Sequence, residues 1–509
     1  MSDDTIIKTL DCIGIFVKWF ILQLFLYYLM PYLWKYEYGL GIISLLFLYT
    51  FLYAVYWKFC PNTLRVKWLF SPYLVYVVVA LGLYSMVENW CPSIWFCLLL
   101  PIYGLICLIV IKFFRKTIKR IGLKYKLKKM IIFLIATLLV VILNSISVSW
   151  MIKGHGSIEN EKEDIIERRN YLVNKLVTSS QKVLNEMPSG IGTQFQGEWA
   201  LYSCSMLSAA LVNISHLYPE TKDENLKNID SLIQIVMSPE MRYYDTMRWN
   251  EDPLESLTGD NSHVSYLSHL AWMICGYKEI GGGNKYDRLL SSLCLTMNHR
   301  ILQSKGLNLP TYPSESIYIP DMLVAIVALD KYSDMNKGKY RSTVRKWINK
   351  AQGEWLDNEA GLLASFVDEN GKQYEGAPVK GSYSALNCYY LTFIDETFAK
   401  QQHEKLKELF WKDGFVTGLK EYWDRACPVG LDMDAGPIIF ELSPSGTAFF
   451  AGSSTFFNDS IVRKGILKTA EIAGHTIKMG NKRHYLLANV ALVGEAIMLA
   501  MRTNFKQHS

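Results

Sequence analysis

The hydrophobic positions divide the chain into two parts with different patterns. Up to about Trp150 the sequence consists of long apolar runs, whereas beyond it apolar residues recur at helical spacing among polar ones. A helix needs about 20 apolar residues to cross a bilayer. Runs of this kind predict five transmembrane helices, near residues 12–30, 39–57, 69–87, 94–113 and 130–150. We therefore assign residues 1–152 to a membrane block.

Basic residues in the loops of this block predict its orientation. The loop before the last span carries nine Lys and Arg side chains between Lys112 and Lys129, and no acidic residue. Loops rich in Lys and Arg remain on the cytoplasmic side of a membrane. We therefore expect a multi-pass protein of the cell (inner) membrane, with a cytoplasmic N-terminus and a periplasmic or extracellular C-terminal domain. Membrane lipids are its first expected partners.

The pattern after Trp150 is that of paired helices. About twelve helical segments follow from Glu161 onward, and every second one is more apolar and richer in small residues. The apolar segments begin near residues 198, 262, 317, 382 and 445, at intervals of roughly 55–65 residues. Because only outer helices meet water, this alternation indicates an inner and an outer ring. The predicted fold class is all-α: five transmembrane helices followed by an (α/α)6 toroid, with a small β-hairpin.

The expected boundaries within this second part follow from charge and turn signals. Residues 153–197 are predicted to form a linker and a first helix, because Glu159–Glu167 is an acidic run typical of a solvated segment. Residues 198–509 are predicted to form the toroid, a catalytic-type domain large enough to bury a full core. The hairpin is expected where an Asn370-Gly371 turn separates two short strand-like runs.

Composition and charge make several classes of function improbable. Lys and Arg exceed Asp and Glu only by 53 to 47, and the basic loop of the membrane block accounts for this excess, so nucleic acid is not an expected partner. Five cysteines after Trp150 stand at irregular positions, which predicts small buried side chains and no disulfide framework or zinc site. Phosphate-binding, dinucleotide-binding and serine-nucleophile motifs do not occur in the sequence. We expect no metal and no cofactor.

Polar side chains collect at the starts of the apolar helices. In a toroid the inner helices all run the same way, so their leading loops meet at one end and form a shared pocket. The candidates at these positions are Glu198, Trp199, His263, Tyr312, Glu315, Tyr318, Tyr383, Asn387, Asp432 and Asp434. His269 and Asp321 follow about one to two turns inside their helices.

Several candidates also have a purely structural interpretation. Glu198 fits a helix N-terminal charge favoured by the helix dipole as well as it fits a pocket carboxylate. His263 fits a capping position at a helix start, and a lone histidine such as His269 on an apolar helix is often only a core residue. Asp432 and Asp434 fit a turn, a metal site or a catalytic pair, with the turn as the default.

Two stretches carry a resemblance to the linalool dehydratase/isomerase family, over roughly residues 195–500. Trp249-Asn250-Glu251-Asp252-Pro253, followed by Tyr266 and His269-Leu270, is similar to that family's Trp and Asp-Pro followed by Tyr-x-x-His-Leu. Asp432-Met433-Asp434-Ala435-Gly436 is similar to an acidic, Gly-rich segment late in the family domain. The resemblance implies an (α/α)6 barrel, and the family's catalytic histidine would fall on His269.

The chain departs from this family at the family's two cysteines. The matching positions are Tyr312 and Asp321, so a phenol and a carboxylate stand where the family has a thiol pair. The resemblance therefore implies the fold, whereas the chemistry on terpene alcohols is not expected to carry over.

The sequence favours an extracytoplasmic enzyme that uses general acid–base catalysis at a C–O bond, by hydration, elimination or hydrolysis. We expect Glu315 to be the acid, Asp321 the base, His269 a second proton carrier and Glu198 a pocket carboxylate. The remaining candidates would bind substrate, either a small lipid-like alcohol or a glycan-like molecule.

Two alternatives remain open at this point. One is a glycan-processing hydrolase or lyase on the same barrel. The other is a non-enzymatic binding component of a membrane system. A homo-oligomer is compatible with the sequence, which does not determine the oligomeric state.

Overall fold

The structure is a computed structural model that describes residues 158–506, apart from 189–191, 375–377, 415, 433, 475, 486–487 and 489–490. The chain divides into two units, Met1–Met151 and Ile152–Ser509, and all described residues belong to the second. The five predicted transmembrane helices, the basic loop and the predicted orientation lie outside the described residues.

The described residues are mostly helical, with 64% of them in helices and only short strands. The predicted all-α class is confirmed. The α-helices of this part of the chain are α1 (Ile158–Leu176), α2 (Ser180–Glu186), α3 (Thr193–Leu217), α4 (Lys222–Val236), α5 (Pro239–Trp249), α6 (Val264–Glu279), α7 (Asp287–Gln303), α8 (Ile319–Met335), α9 (Arg341–Glu354), α10 (Gly381–Leu391), α11 (Glu396–Phe410), α12 (Pro444–Phe456), α13 (Ser460–Gly474) and α14 (Leu492–Arg502).

Short strands of the described residues pair in twos, and every pair is antiparallel. The strands are β1 (Ile317–Tyr318) with β2 (Phe366–Val367), β3 (Trp411–Lys412) with β4 (Gly418–Leu419), β5 (Val429–Asp432) with β6 (Gly436–Ile439), and β7 (Thr476–Met479) with β8 (Lys482–Tyr485). They connect helices and form no sheet of their own in the core.

Six apolar helices contact one another in a closed order. Helix α3 packs against α6, α6 against α8, α8 against α10, α10 against α12, α12 against α14, and α14 packs back against α3. Most side chains of these helices are buried. Gly452 of α12 permits one close approach, because a β-carbon there would lie 2.6 Å from both Tyr389 of α10 and Met501 of α14. The hydrophobic core therefore lies within and around this closed ring of six helices.

Amphipathic helices pack around the outside of the ring. Helix α4 contacts α3 and α6, α7 contacts α6 and α8, α9 contacts α8, α11 contacts α10 and α12, and α13 contacts α12. In α4 the buried residues Ile229, Leu232, Ile233 and Val236 recur every three to four positions, as expected of a helix with one wet face. Helix α1 contacts α3 and α14, where the chain closes on itself.

Three carboxylates of the acidic run in α1, those of Glu161, Asp164 and Glu167, are buried, which corrects the interpretation of the run as a solvated linker. Glu161 is 1% exposed and accepts hydrogen bonds from Arg463 of α13 and Arg502 of α14. Asp164, also buried, accepts hydrogen bonds from Arg168 of its own helix and from Arg502. Carboxylates are buried only where cations and hydrogen bonds compensate them. Helix α1 therefore belongs to the packed domain.

Two helices differ from the predicted ones. The hydrophobic pattern does not predict α5, although Pro239 opens it and Ser238 caps it by accepting a hydrogen bond from the backbone N–H of Met241. The hydrophobic pattern predicts a last helix over residues 484–502, whereas α14 begins only at Leu492, because residues 476–485 form the β7–β8 hairpin. Both differences arise where short polar segments leave no hydrophobic period to recognise.

The predicted hairpin at Asn370-Gly371 is present only in part. Gly371 has a φ of +76°, and its backbone N–H donates to the carbonyl of Asp368 at 2.9 Å, as a tight turn requires. Phe366–Val367 pairs with Ile317–Tyr318, the strand that leads directly into α8. The turn thus helps to hold the entrance of a ring helix in place.

Among the described helices, α3 alone is long and apolar enough to cross a membrane. It belongs to the ring, and 72% of its most apolar window is buried inside the protein. This burial is that of a core helix, which explains its composition.

Candidate functional site

Charged and aromatic side chains gather at the N-terminal ends of the ring helices. Glu198 lies near the start of α3, and Asp321 lies in the first turn of α8. The hydroxyl of Tyr312, in the loop before α8, donates to Glu198 Oε2 at 3.0 Å. At the other end, the C-terminal parts of the ring helices line a separate cavity, which includes Asn213 of α3 and Lys331 of α8. The ring helices therefore run in one direction, and the carboxyl groups lie at their leading ends.

Glu198 is a partly buried carboxyl group whose pKa is raised. Burial, followed by the negative charges of Asp321 and Asp434, raises the pKa of Glu198 to about 7. The hydrogen bond from Tyr312 and the positive charge of Arg248 oppose this rise. At pH 7 Glu198 can therefore both give and take a proton.

The preceding glycine, Gly197, explains how helix α5 comes so close to Glu198. A β-carbon at Gly197 would lie only 2.5 Å from Tyr244 Cβ of α5. The glycine therefore allows α5 to pack against the start of α3 and to cover the site.

Asp321 is the more deeply buried carboxyl group, 2% exposed. Burial above all, with a contribution from the charge of Asp245, raises its pKa to about 7 although the hydroxyl of Thr311 donates to its Oδ2 at 2.8 Å. Two interacting carboxyl groups of this kind lose their protons in coupled steps. Both carboxyl groups therefore have a raised pKa close to neutrality, the range in which acid–base catalysis works at pH 7.

Tyrosine side chains form a wall around the two carboxyl groups. Burial, then neighbouring phenols and Asp321, raise the pKa of Tyr318 and Tyr390 well above the usual value. Tyr318 packs edge-on against Tyr383 at 5.2 Å between ring centroids, and the hydroxyl of Tyr383 donates to Asp434 Oδ2. These phenols remain protonated, so they supply hydrogen-bond donors and an aromatic surface.

His269 lies deeper in the ring and is fully buried. Its Nδ1 hydrogen-bonds to Ser205 Oγ at 2.8 Å, and its ring lies 4.5 Å from that of Tyr202 and 6.2 Å from that of Trp272. Burial lowers its pKa to about 3. The imidazole is therefore neutral at pH 7, which does not support its predicted role as a proton carrier.

Glu315, the predicted general acid, lies outside the site. Its side chain is 53% exposed, and its carboxylate pairs with Arg248 at 3.4 Å. The loop turns outward here, with Ser314 at a φ of +62°. The carboxyl group whose pKa responds to Asp321 is that of Glu198, and Glu315 does not belong to this pair.

Two predicted binding residues hold the scaffold together. His263 occupies the cap position before α6, fully buried, and hydrogen-bonds through Nδ1 to Asp245 and through Nε2 to Glu251 at 3.1 Å. Asp432 pairs with Lys380 at 2.6 Å and accepts two backbone N–H groups in the β5–β6 turn. His263 therefore stands at a helix start and Asp432 in a turn, the positions of their structural interpretations.

The remaining predicted binding residues lie at or below the carboxyl pair. Trp199 packs partly buried against the core beside Glu198. Asn387 lies one helical turn after Tyr383 in α10 and is 1% exposed. Asp434 is exposed and marks the outer edge of the site.

Three further residues of the site escaped the sequence patterns. Arg248 of α5 lies over the Tyr312 ring, with its guanidinium carbon 4.1 Å from the centroid. Thr311 precedes Tyr312 in the chain, and Tyr202 follows Glu198 by one helical turn. The one-turn spacing from Glu198 could have identified Tyr202. Arg248 could not be identified, because it lies on helix α5, which the sequence pattern does not predict.

The described residues contain no group of three or more His, Cys, Asp or Glu side chains arranged to hold a metal ion. Of the cysteines in this part of the chain, Cys204, Cys275, Cys294 and Cys388 are buried, as predicted, and Cys427 is partly exposed. All five are free thiols, and none belongs to the site around the carboxyl pair.

Comparison with known proteins adds no relative to this description. No protein-family model matches the chain. A search among curated proteins finds no match either.

Proposed function

We propose that this protein is a membrane-anchored extracytoplasmic enzyme that uses Glu198 and Asp321 for acid–base catalysis at a C–O bond. The observation that carries the proposal is the pair itself: two interacting carboxyl groups, both with a pKa raised to about 7, behind a wall of tyrosines. Such a pair supplies a proton donor and a proton acceptor at one pH.

The proposed scaffold is an (α/α)6 toroid behind five transmembrane helices. Six ring helices in closed contact, with amphipathic helices packed outside them, support the toroid. The resemblance to linalool dehydratase/isomerase supports the same scaffold, and the two positions that match the family's cysteines, Tyr312 and Asp321, both contribute to the carboxyl site.

In the proposed reaction Glu198 is the acid and Asp321 the base. In this assignment the proton resides on Glu198 while Asp321 is ionised, and the charge of Asp321 helps to raise the pKa of Glu198. Glu198 gives this proton to the leaving oxygen as the C–O bond breaks. Asp321 takes a proton through Oδ1, either from the carbon next to the broken bond or from an attacking water, since Thr311 occupies Oδ2.

Substitution of the two carboxyl groups in the full chain tests this function. Glu198→Gln and Asp321→Asn should each lower the turnover of an alcohol or glycan substrate by about 10²–10⁴, the usual loss for a positioned acid or base. Glu315→Gln is the matched control and should keep wild-type turnover, because Glu315 is exposed. Undiminished turnover in either site variant would refute the mechanism, and ligand binding without turnover in the wild type would favour a binding component.

A further inference from the structure

One face of helix α10 follows the interior of the ring from the carboxyl pair inward. Tyr383, Asn387 and Tyr390 are spaced by four and three residues, so they lie on one face of the helix. Tyr383 reaches Asp434 and Tyr318 at the outer end, and the ring of Tyr390 lies 5.6 Å from that of Trp272 at the inner end. Asn387 therefore faces the ring interior between these two tyrosines.

The side-chain amide of Asn387 is buried and makes no hydrogen bond to the described residues. It is 1% exposed, and neither its Nδ2 nor its Oδ1 has a hydrogen-bond partner among the described residues. Buried amide groups nearly always find partners, because an unpaired one loses its hydration and gains nothing. Because Asn387 lies on the inner face of the ring, its unpaired amide is available to a ligand that supplies the missing partners.

His269 presents a second group of the same kind. Its Nδ1 is bound to Ser205, whereas its Nε2 is buried and has no hydrogen-bond partner among the described residues. The ring packs against that of Tyr202, and its neighbour Trp272 packs edge-on against Tyr390, which lies on the same face as Asn387. The imidazole is neutral, so it offers one hydrogen bond and no charge.

We propose that Asn387 and His269 bind the hydroxyl groups of a neutral sugar ring, inserted past the carboxyl pair into the ring of helices. The proposal rests on the function proposed above and selects its glycan-like substrate class. A hydroxyl both donates and accepts, so it satisfies the amide of Asn387 at either atom and His269 Nε2 in either tautomer.

The same geometry disfavours the other substrate classes. A hydrocarbon tail would leave Nδ2, Oδ1 and Nε2 unpaired, which lowers affinity by about a factor of ten or more relative to a matched hydroxyl. A charged sugar acid would meet the negative charge of Asp321, and the rings that pack against His269, those of Tyr202 and Trp272, supply no cation to offset it. Aromatic walls around hydroxyl-binding groups suit a ring with one apolar face.

Direct binding to the full chain in lipid nanodiscs tests the proposal, and this medium avoids detergents with sugar headgroups. The probes are neutral trisaccharides that end in glucose, galactose or N-acetylglucosamine, compared with a ten-carbon allylic alcohol by saturation-transfer NMR and calorimetry. At least one trisaccharide should bind more tightly than the alcohol. Binding of the alcohol alone, or of no trisaccharide at millimolar concentration, would overturn the proposal.

Asn387→Leu provides the specific variant. It should weaken trisaccharide binding by about tenfold or more while thermal stability stays equal or rises, because an unpaired amide is replaced by an apolar side chain of similar volume. Asn228→Leu is the matched control: its Nδ2 is also buried without a partner among the described residues, but it lies on α4 outside the ring, so binding should not change. Wild-type binding in Asn387→Leu, or strong destabilisation by it, would show that the amide serves the fold.

Glu198→Gln separates this inference from the proposed function. The variant should bind the trisaccharide as the wild type does while its turnover falls. Trisaccharide binding without turnover in the wild type would refute the proposed enzymatic function but would still support sugar binding by Asn387 and His269. Turnover of the allylic alcohol without trisaccharide binding would refute the assignment of a sugar substrate but would still support the proposed enzymatic function.

Discussion

At the scale of single residues, the two carboxyl groups of the site are held in different ways. Asp321 is almost fully buried and receives one hydrogen bond from Thr311. Glu198 lies nearer to solvent, receives a hydrogen bond from Tyr312 and lies in the field of Arg248. Substitutions around Glu198 can therefore change the pKa of the proposed acid while leaving the surroundings of the proposed base, Asp321, unchanged.

Tyr312→Phe should shift the pH dependence of the enzyme upward. Its hydroxyl stabilises the ionised form of Glu198, so its loss raises the pKa of Glu198 further. An acid must be protonated to act, and activity falls as pH rises through its pKa. The alkaline limb of kcat/KM should therefore move up by about one pH unit, the equivalent of one hydrogen bond.

The control for this shift is Tyr332→Phe. It removes the hydroxyl of a buried tyrosine near the C-terminal end of α8, whereas Asp321 lies in the first turn of that helix. Its pH profile should coincide with that of the wild type. An unchanged or downward-shifted limb in Tyr312→Phe would show that Glu198 is not the acid.

Sequence position predicted which residues gather at the site better than it predicted their roles. Glu198 and Tyr312 were recognisable because each stands at or just before the start of an apolar helix, and Asp321 because it follows such a start within one to two turns. Glu315 also stands just before an apolar helix. It lies outside the site because the loop turns outward at Ser314, and the spacing of apolar residues does not predict this turn. The neutral state of His269 follows from complete burial, which only packing determines.

At the scale of elements, helix α1 closes the domain by joining its two ends. Glu161 of α1 is held by Arg463 and Arg502 from the last two helices. Burial alone would raise the pKa of Glu161, but these two arginines outweigh it and lower the pKa from 4.5 to about 2. The ionised carboxylate therefore stabilises the folded state.

Glu161→Gln should destabilise the domain in a pH-dependent way. The depressed pKa contributes about 3 kcal/mol to the free energy of unfolding, fully present above pH 4.5 and lost as pH falls from 4.5 towards 2. Thermal unfolding followed by near-ultraviolet circular dichroism should show a large difference from the wild type at pH 7 and little difference near pH 2.

Glu220→Gln is the matched control for this prediction. Glu220 forms an exposed ion pair with Lys162 of the same helix α1, and such pairs contribute little to stability. Its unfolding midpoint should stay at the wild-type value throughout. A Glu161→Gln variant as stable as Glu220→Gln at pH 7 would contradict the role of α1 as the element that closes the domain.

The elements could be predicted wherever a hydrophobic period runs for three turns or more. The starts of the apolar helices near residues 198, 262, 317, 382 and 445 all fall within about five residues of ring helices in the structure. Helix α5 and the β7–β8 hairpin were missed because their sequences are short and mixed in polarity. Contacts made far along the chain, such as that of α1 with α14, leave no local trace in the sequence.

At the scale of the whole second unit, the ring of helices has two different ends. The leading end holds the carboxyl pair, and the trailing end holds a cavity of about 300 Å³ lined by residues such as Glu279 and Lys331. Ser205 lines that cavity and also hydrogen-bonds to His269, so His269 lies between the two ends. Under the proposed function, a substrate that enters at the leading end would meet the carboxyl groups before the neutral groups of the interior.

The proposed compartment of this unit is outside the cytoplasm. The basic loop between Lys112 and Lys129 motivates the prediction, because such loops stay inside. Alkaline phosphatase fused after Ser509 should be active, and green fluorescent protein at the same point should be dark. A fluorescent, phosphatase-negative pattern would invert the orientation and move the enzyme to the cytoplasm.

The most direct test of the account is an infrared titration of the carboxyl groups, which needs no substrate. Difference spectra of the full chain between pH 5 and 9 should contain a protonated-carboxyl signal that titrates near pH 7, as expected for the coupled pair. The signal should shrink in Glu198→Gln and in Asp321→Asn and persist in Glu315→Gln. Burial raises the pKa of Glu421 to about 6, so a residual signal near that pH is expected in both site variants. A wild-type protein without a component that titrates near pH 7, or one whose component near pH 7 survives both site substitutions, would contradict the assignment of Glu198 and Asp321 as acid and base.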